Sequence, residues 1–109
     1  RKNFMIMCQD SPVGELSLKH INYEKKECEL SIHMQSNRVK NKGYGTLAEK
    51  QALKYAFEIL KMDRVLANCV LKNTRSQHIL EKIGFENVGQ EGIFRYYLIT
   101  KETFFTRNR

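Results

Sequence analysis

No stretch of this 109-residue sequence is apolar for long enough to cross a membrane, and none has the pattern of a signal peptide. Cysteine is sparse. Cys8, Cys28 and Cys69 are odd in number and far apart, and no two stand in C-x-x-C spacing. Neither a zinc site nor a disulfide framework is therefore indicated, and a reducing compartment, the cytoplasm, fits such a set. Internal repeats, low-complexity tracts and linkers are absent, which leaves a single domain over residues 1–109. Helix-turn-helix, zinc-finger and RNP patterns are also missing, so neither nucleic acid nor a membrane is an expected partner.

What the chain does have is positive charge and two glycines in a telling place. Lys and Arg number 19 against 12 Asp and Glu, a net charge of +7. That balance favours an anionic partner, whether nucleic acid, a membrane surface or a phosphorylated cofactor, and does not by itself choose among them. The basic residues cluster at Arg38-Val39-Lys40-Asn41-Lys42-Gly43-Tyr44-Gly45-Thr46. An alternating segment, Glu27 to Gln35, precedes this stretch and reads as a strand, whereas a helical pattern follows it. The stretch is thus a strand-to-helix loop. Glycine lets backbone approach a bulky ligand, and a helix start offers free N–H groups and a partial positive charge. Together these suit a phosphate. An ordinary tight loop with solvated lysines has the same local pattern, and the rest of the chain has to decide between them.

Asn3 to Gln9 is a short apolar run that reads as a buried strand, and Asp10-Ser11-Pro12-Val13-Gly14 has turn chemistry. Glu15 to Ile21 alternates as the next strand, paired with the first in a hairpin. The helix after the loop is expected over Tyr44 to Leu60. Its apolar side carries Tyr44, Ala48, Ala52, Tyr55, Ala56 and Ile59, widened by Leu53, Phe57 and Leu60. Arg64 to Leu71 is a further strand, so Glu27 to Leu71 forms a βαβ unit with parallel strands. Asn73-Thr74-Arg75-Ser76 opens a second helix, with Ile79, Leu80 and Ile83 buried and Gly84 at its C-terminal cap. Phe85 to Gly89 and Ile93 to Thr100 are strands joined by Gln90-Glu91-Gly92, and Lys101 to Arg109 is a tail with no assigned structure. The fold class is α/β: a mixed, mostly antiparallel sheet with a central parallel pair.

This order of elements, with three groups of residues, resembles the GNAT acyl-CoA N-acyltransferase superfamily. The branch it is most similar to is that of the ribosomal-protein alanine/serine N-acetyltransferases. Lys40-Asn41-Lys42-Gly43-Tyr44-Gly45 fits the family's [Gln/Arg]-x-x-Gly-x-[Gly/Ala] loop, with Lys in first place. Asn73-x-x-Ser76 followed by Leu80-Glu81-Lys82-Ile83-Gly84-Phe85 is the second group, and Pro12-Val13-Gly14-Glu15-Leu16-Ser17-Leu18 is the third. The resemblance covers essentially the whole chain. The family carries a strand and two helices ahead of this segment that have no counterpart here, so an N-terminally incomplete domain, or one completed by a partner, is expected. The uncovered sheet edge and apolar surface near Phe4 and Ile6 would invite a dimer or swapped assembly.

The resemblance implies transfer of an acetyl group from acetyl-CoA to a primary amine, with no metal. Lys40, Asn41, Lys42, Gly43, Tyr44, Gly45 and Thr46 would cradle the CoA pyrophosphate. His33, Met34 and Gln35 would meet the pantetheine arm through their backbone, and Asn73 and Ser76 would lie near the pantetheine and the sulfur. Ser76 is the candidate acid for the thiolate, although serine in a first helical turn is equally explained by hydrogen bonding there. Many superfamily members place a tyrosine where this chain has Leu80, which cannot donate a proton. Glu29 is the candidate base, matching a glutamate of histone-acetylating relatives, and apolar surroundings would raise its pKa. Glu91 and water are the other carriers of the proton; Tyr96 and Tyr97 are read as core and rim of the last strand rather than as catalytic groups. A fragment that binds CoA or a protein without turnover is the alternative. Protein N-termini, polyamines, aminosugars and aminoglycosides are all admissible acceptors.

Overall fold

The computed structural model of the chain describes residues 2–8, 11–34 and 44–107, with side chains over 15–32 and 46–107. Among these residues the elements in chain order are β1 (Lys2–Cys8), β2 (Ser11–Asn22), β3 (Glu27–Met34), α1 (Tyr44–Glu58), β4 (Arg64–Val70), α2 (Thr74–Ile83), β5 (Glu86–Glu91), β6 (Phe94–Thr100) and α3 (Lys101–Arg107). The strands form one six-stranded sheet in the order β1-β2-β3-β4-β6-β5. Only β3 and β4 pair in parallel, as a βαβ crossover requires. The other neighbours are antiparallel. The α/β class, mixed sheet and parallel pair are those expected from the sequence.

The period-2 alternation of the strands decides which face is covered. Leu18, Leu30, Ala67 and Tyr97 stand in register across four strands, and Cys28, Val65 and Ile99 form a second row beside them. All are buried, and the three helices pack on this side through Leu53, Phe57, Leu80, Ile83 and Phe104. Each fully buried side chain of this size contributes roughly 1.5–3 kcal/mol. The opposite face carries Glu29, Asn68, Val70, Phe94 and Tyr96, which are half-buried or exposed.

Several local expectations change. Ser11–Gly14 belongs to β2 rather than to a turn, because Cys8 already pairs with Ser11 and Met7 with Pro12. The register shift between Ile6 and Met7 accommodates a proline that has no N–H to give. The β5–β6 turn falls at Gly92-Ile93, where Gly92 has φ 62°, one residue later than Gln90-Glu91-Gly92. Helix α1 ends at Glu58, and its buried stripe is rotated. Glu49, Ala52, Leu53, Ala56 and Phe57 are buried, while Ala48 and Tyr55 are half-buried and Ile59 is exposed.

That rotation follows from the C-terminal segment. Residues 101–107 form α3, not an unstructured tail, with Phe104 buried. The Phe57 ring lies 5.5 Å from Phe104 and 6.1 Å from Phe105, centroid to centroid, which draws Phe57 inward. Thr100 caps the helix, its Oγ1 accepting from the Thr103 N–H at 3.3 Å. Among the described residues no helix is long and apolar enough to cross a membrane.

Candidate active site

The parallel pairing of β3 with β4 runs from Glu27 opposite Arg64 to Leu30 opposite Ala67 and stops there. Both strands continue. β3 follows β2 as far as Met34 opposite Gly14, and β4 follows β6 as far as Val70 opposite Phe94. From Ser31 and Asn68 onward the two strands therefore part. Backbone groups on their facing edges lose their ladder partners and remain free to pair with something else. A cavity of about 230 Å³ opens at this point. Glu29 to Ile32 and Ala67 to Val70 form its strand walls, Glu49 enters from α1, and Asn73, Ser76 and Leu80 enter from α2.

On the open face of the sheet, Glu29 is about one-quarter exposed and accepts a hydrogen bond from Asn68 Nδ2 at 3.2 Å. Lys19 Nζ and His20 Nε2 lie 3.9 and 3.8 Å from its carboxylate. The expected apolar surroundings of Glu29 are only partly present: the register places Leu66 opposite it on β4 but Lys19 opposite it on β2, and Asn68 reaches its carboxylate from two residues along β4. Glu29 nevertheless lines the cavity, as its proposed role as base requires. Glu91 is exposed and is not among the cavity walls.

On the helical side, Asn73 caps α2, its side-chain oxygen accepting from the Ser76 N–H at 3.0 Å. This cap aims the first turn of α2 at the cavity, which both residues line. Burial raises the pKa of the Cys69 thiol, and a hydrogen bond with the Ser76 side chain partly offsets that rise. Arg95 Nη1 donates to Gln77 Oε1 at 2.8 Å and Gln77 Nε2 to Leu71 O at 2.8 Å, so the β4–α2 connection is tied to β6. Tyr97 is fully buried, with its hydroxyl donating to Glu81 at 2.8 Å, whereas Tyr96 is partly exposed, so core and rim are exchanged from the expected order because the register turns Tyr97 to the helical face.

Glu49 is the residue that sequence reasoning missed. It is 3% exposed, and burial pushes its carboxyl from the ordinary 4.5 up to about 8. The signal was its spacing: Glu49 lies three, four, seven and eight residues before Ala52, Leu53, Ala56 and Phe57, the positions that share a helix face.

The cavity thus unites Glu29, Asn73 and Ser76 among the expected residues. Thr46 is half-buried in the first turn of α1, and Tyr44 and Gly45 form the start of that helix. His33 and Met34 are on the part of β3 that has left β4. Gln35, Lys40, Asn41, Lys42 and Gly43 lie outside the described residues. Among the described residues no group of three His, Cys, Asp or Glu side chains is placed to hold a metal ion.

Residues 1–86 match the family model described as Acetyltransferase (GNAT) domain. The spermidine N(1)-acetyltransferase of Escherichia coli (strain K12) is 28% identical over 89 residues, which are 82% of this chain and 47% of that protein. An uncharacterized N-acetyltransferase, YnaD, of Bacillus subtilis (strain 168) is 34% identical over 55 residues, 50% of this chain and 31% of that one. Mutant forms of the spermidine/spermine N-acetyltransferase SpeG from Vibrio cholerae superpose with a TM-score of 0.86 at 22% identity, covering 98% of this chain and 68% of theirs, a likeness of fold. The chain spans about half the length of the first of these curated relatives, 47%.

Proposed function

Because the chain belongs to the GNAT acetyltransferase domain family, we propose that it transfers an acetyl group from the thioester of acetyl-CoA to a primary amine. The observation that carries this reading is the parting of β3 from β4 after Leu30 and Ala67. The free strand edge at Ser31–Met34 suits the amide-rich pantetheine arm. The start of α1 at Tyr44 suits the pyrophosphate, with N–H groups that have no intrahelical partner. Lys40 and Lys42 add charge to that loop, and Gly43 and Gly45 let its backbone close on the phosphates. Acetyl-CoA supplies the activated acyl group. The chain's own part is to align it, to stabilise the developing oxyanion through a strand N–H, and to take up the amine proton at Glu29 or water.

The acceptor class is a primary amine. The spermidine acetyltransferases among the relatives favour a polyamine, while the branch resemblance in the sequence favours a protein N-terminus. A panel containing spermidine, N-terminal peptides, an aminosugar and an aminoglycoside, scored by release of free CoA thiol, separates these classes.

Calorimetric titration with acetyl-CoA tests the site itself. Wild type is expected to bind tightest, Lys40→Ala next and Gly43→Asp weakest. One partly solvated charge contributes on the order of 1 kcal/mol, under tenfold in affinity, whereas Asp at position 43 brings both bulk and negative charge beside phosphate. A Gly43→Asp variant with an unchanged thermal melt that bound acetyl-CoA like wild type would overturn the assignment of the loop. Tight binding without turnover on any amine would favour the non-catalytic fragment.

A further inference from the structure

We propose that Glu49 is the acid of the cleft, the group that gives a proton to the sulfur leaving the acetyl donor. This rests on the acetyl-transfer reading above. Glu49 is 97% buried and lines the cavity. Burial disfavours the charged carboxylate, so the side chain stays neutral and keeps an O–H to donate.

The other candidates for the acid are weaker. Leu80 has no proton to give, and the Ser76 hydroxyl is an alcohol, far less acidic than the thiol it would have to protonate. Among the described residues, the titratable side chains that share the cavity are Lys19 from β2, Glu29 from β3 and Cys69 from β4; the α2 residues that line it do not titrate. Lys19 and Glu29 face each other across the open side of the sheet, so neither neutralises Glu49. Burial holds the Glu49 carboxyl at about 8, close to the ordinary thiol value of about 8.5. An acid is most effective when matched in this way to the group it protonates.

The step balances as follows. The neutral amine nitrogen attacks the thioester carbonyl carbon and a C–N bond forms. The C–S bond breaks with its electron pair on sulfur, and Glu49 transfers its proton there to give the free thiol. The amine loses its proton to Glu29 or water, and solvent returns a proton to Glu49. Amine plus thioester becomes amide plus thiol, with no other reactant.

The test is a carboxyl-carbon NMR titration of the full chain labelled at glutamate, taken free, with CoA, and with desulfo-CoA, which lacks only the sulfur. Calorimetry on the same samples establishes binding. One glutamate is expected to titrate far above the others in the free protein and to be missing in Glu49→Gln. Its midpoint should differ between CoA and desulfo-CoA by about one unit, as for two coupled groups in contact. Equal midpoints in the two complexes, with both ligands bound, would overturn the proposal and leave the acetyl-transfer reading standing. Failure of CoA to bind would overturn that reading and the proposal with it. In turnover, Glu49→Gln should lower kcat on the order of a hundredfold, with KM for acetyl-CoA little changed and the alkaline limb of the pH profile lost. Wild-type kcat in a folded Glu49→Gln variant would also overturn it. The NMR comparison needs only wild-type protein, because the high midpoint identifies the residue.

Discussion

Replacing Glu49 by Gln should change how the stability of the ligand-free protein depends on pH. Burial raises the folded-state pKa of this carboxyl from 4.5 to about 8, while the unfolded chain keeps the ordinary 4.5. Between those values the folded state holds a proton that the unfolded state has released. Unfolding is therefore favoured progressively as pH rises. The slope is about 1.4 kcal/mol per pH unit. The window is 8 minus 4.5, about 3.5 units, so the full effect is roughly 5 kcal/mol. Stability from this source is whole below pH 4.5, falls through the window and levels off above pH 8. Glutamine is neutral throughout and shows none of this. Its buried amide changes stability by an amount that does not depend on pH. Urea unfolding of both proteins at unit steps from pH 5 to 9, with m-values compared, measures the difference directly. Wild type should lose about 1.4 kcal/mol per unit relative to the variant up to pH 8 and nothing beyond it. Parallel stability profiles would refute the reasoning, because they would mean that the carboxyl is ionised at neutral pH in the folded protein.

Phe104→Ala removes a 4% exposed ring that packs on Phe57, and should cost about 3–5 kcal/mol in urea unfolding. Asn73→Ala deletes the cap that accepts from the Ser76 N–H, and should cost about 1 kcal/mol while loosening the turn that presents Ser76 to the cleft. Ser76→Ala removes a hydrogen bond that lowers the Cys69 pKa, so the thiol should titrate higher and alkylate more slowly at pH 8. An unchanged alkylation rate would show that the hydroxyl does not reach the sulfur.

The strands and the first two helices were legible because their side chains alternate or recur at fixed periods. Leu16, Leu18, Leu30, Val65 and Ile99 declare a buried face by spacing alone. The Asn73 cap and the Gly84 cap, at φ 127°, were legible for the same local reason: their chemistry acts within four residues of chain. The environment of Glu29 was not, since whether it meets apolar or charged neighbours depends on the register of β2 and β4, which are not its neighbours in sequence. Nor was the rotation of α1. Its apolar residues span too wide an arc to choose one face, and α3, folding back to seat Phe104 on Phe57, made the choice. That choice turned Glu49 inward. The sequence by itself determined the six strands, the first two helices, their order and the family. Only the tertiary structure decided where β3 leaves β4 and which carboxyl is sealed in the gap, because strand register and helix rotation are set by contacts between segments far apart in the chain.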